Sequence, residues 1–149
     1  MKKVFLTIII LNCLFLVSKT WAAFPMPTKP NTKLLLVEFW ASWCPYCRQS
    51  LPWLEDMQNT FASQGLEVIS VNFSDKKSNA KALIAKNKYT FPVNYDENLA
   101  LANMFQVVAV PTIILINQNG EVLVYQRGIS PESEKVLKEK IATLLKPIK

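Results

Sequence analysis

The chain has 149 residues, half of them hydrophobic, with 17 lysines and arginines against 11 aspartates and glutamates, three cysteines and no histidine. That length suits one ordinary domain with a continuous core, and so few cysteine and histidine donors all but exclude a four-ligand structural zinc site. The net charge of +6 owes three of its lysines to the first nineteen residues, so it gives no support to nucleic-acid binding.

Met1-Lys2-Lys3 supplies a positive start, Val4 to Val17 is almost wholly apolar, and Lys19-Thr20-Trp21-Ala22 offers a small residue for cleavage after Ala22. This pattern predicts a secretory signal peptide over residues 1–22. The apolar run is shorter than the roughly 20 residues that span a membrane, which leaves an uncleaved anchor as the alternative. Cys13 sits inside the run rather than closing it, and reads as a small hydrophobe that leaves with the signal. Cleavage removes Lys2, Lys3 and Lys19 and lowers the net charge from +6 to +3. It also leaves two cysteines, an even number in a compartment where disulfides persist. The expected location is therefore exported, in the periplasm or an equivalent extracytoplasmic space, tethered to the membrane if the signal is kept.

Residues 23–33 carry three prolines and no periodicity, which predicts an extended lead-in before a domain over 34–149. The apolar run Leu34 to Ala41 predicts a buried strand at about 33–40, running into a helix at Pro45. Proline suits the first helical position, where a missing N–H costs nothing. Leu51, Leu54, Met57 and Phe61 share one face of that helix, Pro52 should kink it, and Gly65 should stop it. Leu66 to Phe73 predicts a second strand, parallel to the first through the intervening helix.

Ser74 or Asp75 is expected to cap a helix reaching about Lys88, with Ala82, Leu83 and Ile84 inward and Lys76, Lys77, Lys81, Lys86 and Lys88 solvated. Phe91-Pro92-Val93 reads as a short extended piece, and Asn98 to Phe105 as a short helix packing Leu99, Leu101, Ala102 and Phe105. Pro111–Asn117 and Glu121–Tyr125 read as hairpin strands, with Asn119-Gly120 as a turn needing positive φ at both positions. Ser130-Pro131-Glu132 opens a last helix with a cap, an N1 proline and an acidic first turn. Its expected buried stripe is Val136, Leu137, Ile141, Leu144 and Leu145. The order β-α-β-α-(β)-α-β-β-α predicts an α/β domain, a mixed sheet with helices on both faces.

Trp43-Cys44-Pro45-Tyr46-Cys47 carries the chemistry. Cys44 falls at or just before a helix N-terminus, where free N–H groups and the positive dipole end favour thiolate over thiol. Such sites lower a cysteine pKa from about 8.5 into the range of roughly 3.5 to 7.5. Cys47 lies within reach to close a disulfide onto Cys44, so the pair can accept and release two electrons. A structural bridge is the plainer alternative, but so short a loop gains little entropy.

The stretch Phe39 to Arg48 resembles the active site of thioredoxin-like proteins. It is most similar to the exported TlpA-like thiol–disulfide oxidoreductases, a group that includes reductases of cytochrome c maturation. Phe91-Pro92-Val93-Asn94-Tyr95-Asp96, Val107 to Ile116, and Asn119-Gly120-Glu121-Val122 with Gly128 extend the likeness from residue 34 to about 146. The resemblance implies a thioredoxin-like three-layer sandwich with a TlpA-type central insertion. It makes Pro111 the family's cis-proline, gives Val110 a backbone that pairs with substrate, and places Glu38 where thioredoxin keeps a buried acid.

A carboxyl amid Val37, Phe39 and Trp40 should have a raised pKa, as a proton acceptor needs, although Glu38 could equally point outward. The lead-in is too short for the N-terminal hairpin common in the group. Pro45-Tyr46 is the dipeptide that glutaredoxins use, which leaves the direction of electron flow open.

The expected mechanism has Cys44 attack a substrate disulfide and Cys47 resolve the mixed disulfide. Trp40, Trp43, Tyr46 and Pro111 would rim the sulfur, with Trp43, Pro45, Tyr46, Val110 and Pro111 contacting substrate. The expected partners are disulfide-bearing proteins and a membrane-embedded thiol electron donor, with no nucleic acid. No cofactor or metal is expected, and the chain should be a monomer. The competing readings are a disulfide oxidant or isomerase, and a non-enzymatic copper-binding thiol module, since thiolates suit Cu(I).

Overall fold

The structure, a computed structural model, describes residues 29–146; the predicted signal segment 1–22 lies outside them. The elements in order are β1 (Leu34–Trp40), α1 (Pro45–Phe61), β2 (Leu66–Phe73), α2 (Lys77–Asn87), β3 (Val93–Asp96), α3 (Ala100–Met104), β4 (Thr112–Asn117), β5 (Val122–Arg127) and α4 (Pro131–Leu145). They form one five-stranded sheet in the order β3-β2-β1-β4-β5, so β1 lies at its centre. β1 pairs parallel with β2 and antiparallel with β4, while β3 and β5 form the edges. This is the predicted mixed sheet, and among the described residues no helix is long and apolar enough to cross a membrane.

All seven residues of β1 are buried, because the sheet is covered on both faces. Strand alternation splits them. Leu34, Leu36 and Trp40 pack with Leu51, Leu54, Met57 and Phe61 of α1 and with Leu137, Ile141 and Leu145 of α4. Leu35, Val37 and Phe39 pack on the other face with Ile69, Val71, Ile114, and Leu101 and Ala102 of α3. Gly65 closes the α1 region in the left-handed conformation at φ 107°, and a Cβ there would meet Lys33 Cγ at 3.0 Å. The end of the lead-in is pinned where Lys29 N–H and Thr32 Oγ1 donate to Glu67 Oε2 at 2.9 and 2.6 Å.

Several local expectations are corrected. α2 has Lys76 at its cap position, with no side-chain cap, because Ser74 takes a positive φ and the Asp75 carboxylate is engaged elsewhere. Ala80 is the buried residue of α2, Leu83 and Ile84 are half-buried, and Ala82 faces solvent. Leu99 precedes α3 in the left-handed region and is exposed; the N-terminus of α3 is capped instead by Asp96, which accepts from Leu101 N–H and Ala102 N–H. In the β4–β5 hairpin only Gly120 has positive φ. Asn117 supplies the rest of the turn, its Oδ1 accepting from Asn119 N–H and Glu121 N–H at 2.9 and 3.0 Å.

α1 runs on through Pro52, which faces solvent. On α4, Ser130 caps the helix as the sequence suggests, and Ser133 completes a reciprocal capping box that the sequence reading did not include. Its buried stripe is Leu137, Ile141 and Leu145, while Val136 and Leu144 are 64% and 45% exposed.

Candidate functional site

β1 delivers the chain to the start of α1, and the cysteine pair sits at that junction. Cys44 is the N-cap of α1, in extended conformation, with Pro45 at the first helical position. Its Sγ accepts from Cys47 N–H at 3.2 Å, one of the free donors a helix start offers. Cys44 and Cys47 form a disulfide with their Cα atoms 5.3 Å apart. Cys44 is 3% exposed and Cys47 wholly buried, so only the first sulfur has any opening to a partner. On reduction, the N–H donor and the helix dipole stabilise negative charge on Cys44.

Opposite the pair, the Val110–Pro111 peptide is cis and Pro111 is buried. Cys44 Sγ lies 3.7 Å from the Val110 carbonyl oxygen. Trp43 and Tyr46 stand out around the sulfur at 60% and 65% exposure, with Pro45 exposed between them. Trp40 does not join this rim. It shares the inward register of Leu34, Leu36 and Glu38 and is fully buried in the core.

The turn before Cys44 is tied down by a network that sequence reasoning missed. Asp75 accepts from Ser42 N–H at 2.6 Å, Ser42 Oγ at 2.9 Å and Asn72 Nδ2 at 2.9 Å. Asn72 Nδ2 also reaches the Trp40 carbonyl at 3.4 Å, and Trp43 Nε1 donates to Ser74 O at 2.9 Å. Burial pushes the Asp75 carboxyl up, but hydrogen bonds from Asn72 and Ser42 outweigh it and hold it below the usual aspartate range. The only sequence signal was the polar cluster after β2, which read as a helix cap.

Glu38 points inward, toward α1. It is fully buried, and loss of water pushes its pKa up to about 8. A hydrogen bond from Ser50 Oγ to Glu38 Oε1 opposes that rise, and the charge of Glu134 on α4 adds to it. Glu38 Oε2 has no hydrogen-bond partner among the described residues. Ser50, on the buried face of α1, also reaches the Cys47 carbonyl at 3.0 Å. Among the described residues, no group of three or more histidine, cysteine or acidic side chains is placed to hold a metal ion.

A cysteine pair capping a helix, faced by a cis-proline loop on a mixed sheet, defines a thioredoxin-fold redox protein. Residues 31–122 match the thioredoxin-like family model, and the chain belongs to that family.

Among curated relatives it is 28% identical over 115 residues to the thiol-disulfide oxidoreductase ResA of Halalkalibacterium halodurans, covering 77% of this chain and 64% of that protein. It is 30% identical over 117 residues to the sporulation thiol-disulfide oxidoreductase A of Bacillus subtilis, covering 76% of this chain and 68% of the relative. The chain thus spans about two thirds of the length of these relatives. A solved Chlorobium tepidum structure described as a thiol:disulfide interchange protein DsbE superposes with a TM-score of 0.73 at 33% identity, over 78% of this chain and 82% of that one. StoA from Bacillus subtilis superposes with a TM-score of 0.63 at 28% identity, over 74% and 84%.

Proposed function

We propose that the protein is an exported thiol–disulfide oxidoreductase that reduces disulfides in other proteins, with Cys44 as nucleophile and Cys47 as resolving thiol. The observation that carries this reading is the placement of Cys44, which caps α1 and lies 3.7 Å from Val110 O beside the cis-proline. The relatives described as thiol-disulfide oxidoreductases support it.

In this scheme the Cys44 thiolate attacks one sulfur of a substrate disulfide and expels the other as a thiolate. The Glu38 carboxylate takes the proton of Cys47, whose thiolate attacks Cys44, closes the internal disulfide and releases the second substrate sulfur. An extended substrate segment lies along Val110, with Trp43, Pro45, Tyr46 and Pro111 supplying apolar contact. A membrane-embedded thiol donor returns two electrons to the pair. Residues 1–22 direct export and residues 34–149 act as a monomeric domain. Cytochrome c maturation and envelope thiol homeostasis are the settings proposed.

The Cys47→Ala variant tests the order of events. It should accumulate a mixed disulfide through Cys44, isolable under non-reducing conditions, while Cys44→Ser should stay folded, trap nothing and lose turnover. Recovery of no partner through Cys44 would count against the scheme.

A further inference from the structure

We infer that Ser50 is a positioning residue for the resolving half-reaction, its hydroxyl holding one oxygen of Glu38 and answering to the proton state of that carboxyl through the Cys47 carbonyl. The inference rests on the redox reading above and goes beyond it, because it gives a role to a helix residue outside the Cys-x-x-Cys unit.

Two contacts of one hydroxyl carry it. Ser50 Oγ donates to Glu38 Oε1 and lies 3.0 Å from the Cys47 carbonyl oxygen, with Ser50, Glu38 and Cys47 all fully buried. A serine has one proton to give, so it cannot serve both acceptors at once. While Glu38 is ionised the carboxylate holds that proton, since a hydrogen bond to a charged acceptor is roughly twice as strong as a neutral one. Among the described residues Glu38 Oε2 then has no partner in its buried site, as the oxygen open to receive a proton.

When the Cys47 thiol gives up its proton, Glu38 becomes neutral and its claim on the hydroxyl falls to that of an ordinary acceptor. The hydroxyl is then free to turn toward Cys47 O. Proton and charge balance: Cys47–SH and Glu38–COO⁻ become Cys47–S⁻ and Glu38–COOH, and the thiolate attacks the mixed disulfide at Cys44.

Ser50 also keeps the acid poised. Its hydrogen bond favours the charged form against burial and against Glu134 of α4. Cys47 is linked to Glu38 through the shared Ser50 hydroxyl, and Tyr89 beyond α2 feels the carboxyl too, its pKa raised first by burial and then by the charges of Glu55 and Glu38.

The test uses the reduced protein and dithiobis(nitrobenzoate), so it needs no natural substrate. Attack by Cys44 releases one nitrothiobenzoate and resolution by Cys47 releases the second, which isolates the resolving step as the slower optical phase. In the wild type that rate should rise with pH through the Glu38 titration. In Ser50→Ala the midpoint should move about one unit higher, and resolution at pH 7 should slow about tenfold with the first phase unchanged. Ser50→Thr, which keeps a hydroxyl, should recover most of the rate.

In a Glu38→Gln background, Ser50→Ala should change resolution less than twofold, since its action runs through the carboxyl. Equal midpoints in wild type and Ser50→Ala would overturn the inference, as would an undiminished effect once Glu38→Gln is in place. Should Ser50→Ala not fold, Ser50→Thr decides: its midpoint should stay near that of the wild type, and one raised by about a unit despite the retained hydroxyl would overturn the inference. A wild type that releases both nitrothiobenzoates but reduces no protein disulfide would defeat the proposed function while leaving this measurement standing.

Discussion

Glu38 shows how one residue can tie stability to chemistry. Its ordinary pKa of 4.5 is raised to about 8 in the folded protein, chiefly because burial strips water from the charge. The folded state therefore holds a proton that the unfolded chain releases between those values. Stability from this group is complete below about pH 4.5 and is lost as pH climbs through about 8. Glu38→Gln keeps the shape and removes the charge. It should melt higher than the wild type at pH 8, by an amount on the order of a few kcal/mol, and match it near pH 5. Thermal unfolding of both across pH 5 to 9 checks this, and parallel curves would show that the carboxyl is not the group responsible.

At this scale the sequence revealed the cysteines, because their spacing and the following proline are local signals. Ser50 was hidden, because a serine between Gln49 and Leu51 looks like any polar residue on a helix until its partner across the core is known. Trp40 misled for a related reason. Nearness to Cys44 in sequence suggested the rim, whereas strand alternation turns position 40 inward with Glu38.

Among the elements, the β2–α2 connection does more than join a strand to a helix. Through Asp75 it holds Ser42, and through Ser74 it holds Trp43, so the cysteine turn is clamped from the neighbouring strand. Asp75→Ala removes a charged acceptor from three donors and should cost about 1–3 kcal/mol of stability. It should also lower kcat/KM for disulfide reduction several-fold, with the reduced thiols still present by titration. An unchanged kcat/KM alongside a lowered Tm would make the clamp purely structural.

The helices were legible in extent but less so in facing. α4 carries more apolar residues than one stripe can hide. The sequence offered Val136 and Leu144 as candidates equal to Leu137 and Ile141, and only the position of the sheet chooses between them. The cap of α2 was misread because Ser74 and Asp75 have the right chemistry for capping but are drawn toward Trp43 and Ser42. Local propensity loses there to a contact about thirty residues away in the chain.

For the whole molecule, topology follows from β1. A strand apolar on both sides needs cover on both faces, which is why the parallel β1–β2 pair and the fold class could be read early while the order of strands in the sheet and the side-chain networks could not. The same placement couples folding to electron flow. Folding, reduction of the folded pair and reduction of the unfolded pair close a thermodynamic cycle, so a disulfide made harder to reduce by folding must also make the fold more stable.

Two effects oppose each other in this site. The Cys47 N–H to Cys44 Sγ contact at the start of α1 favours a reduced thiolate. Against it, reduction places that charge in a pocket where Cys44 is 3% exposed and Cys47 fully buried, so a thiolate there is poorly hydrated. One N–H bond offsets only part of that cost, so the disulfide form should be the more stable.

The oxidised protein should therefore melt several degrees above the reduced one, each ~30 mV of extra reducing power corresponding to ~1.4 kcal/mol. Its potential should fall nearer the thioredoxin value of about −270 mV than the DsbA value of about −120 mV. Scanning calorimetry of both redox forms at pH 7, with a potential from equilibration against a dithiol buffer, checks the two together. A reduced form that melts higher would mean that folding drives electrons into the pair, and the protein would then be an oxidant of its partners.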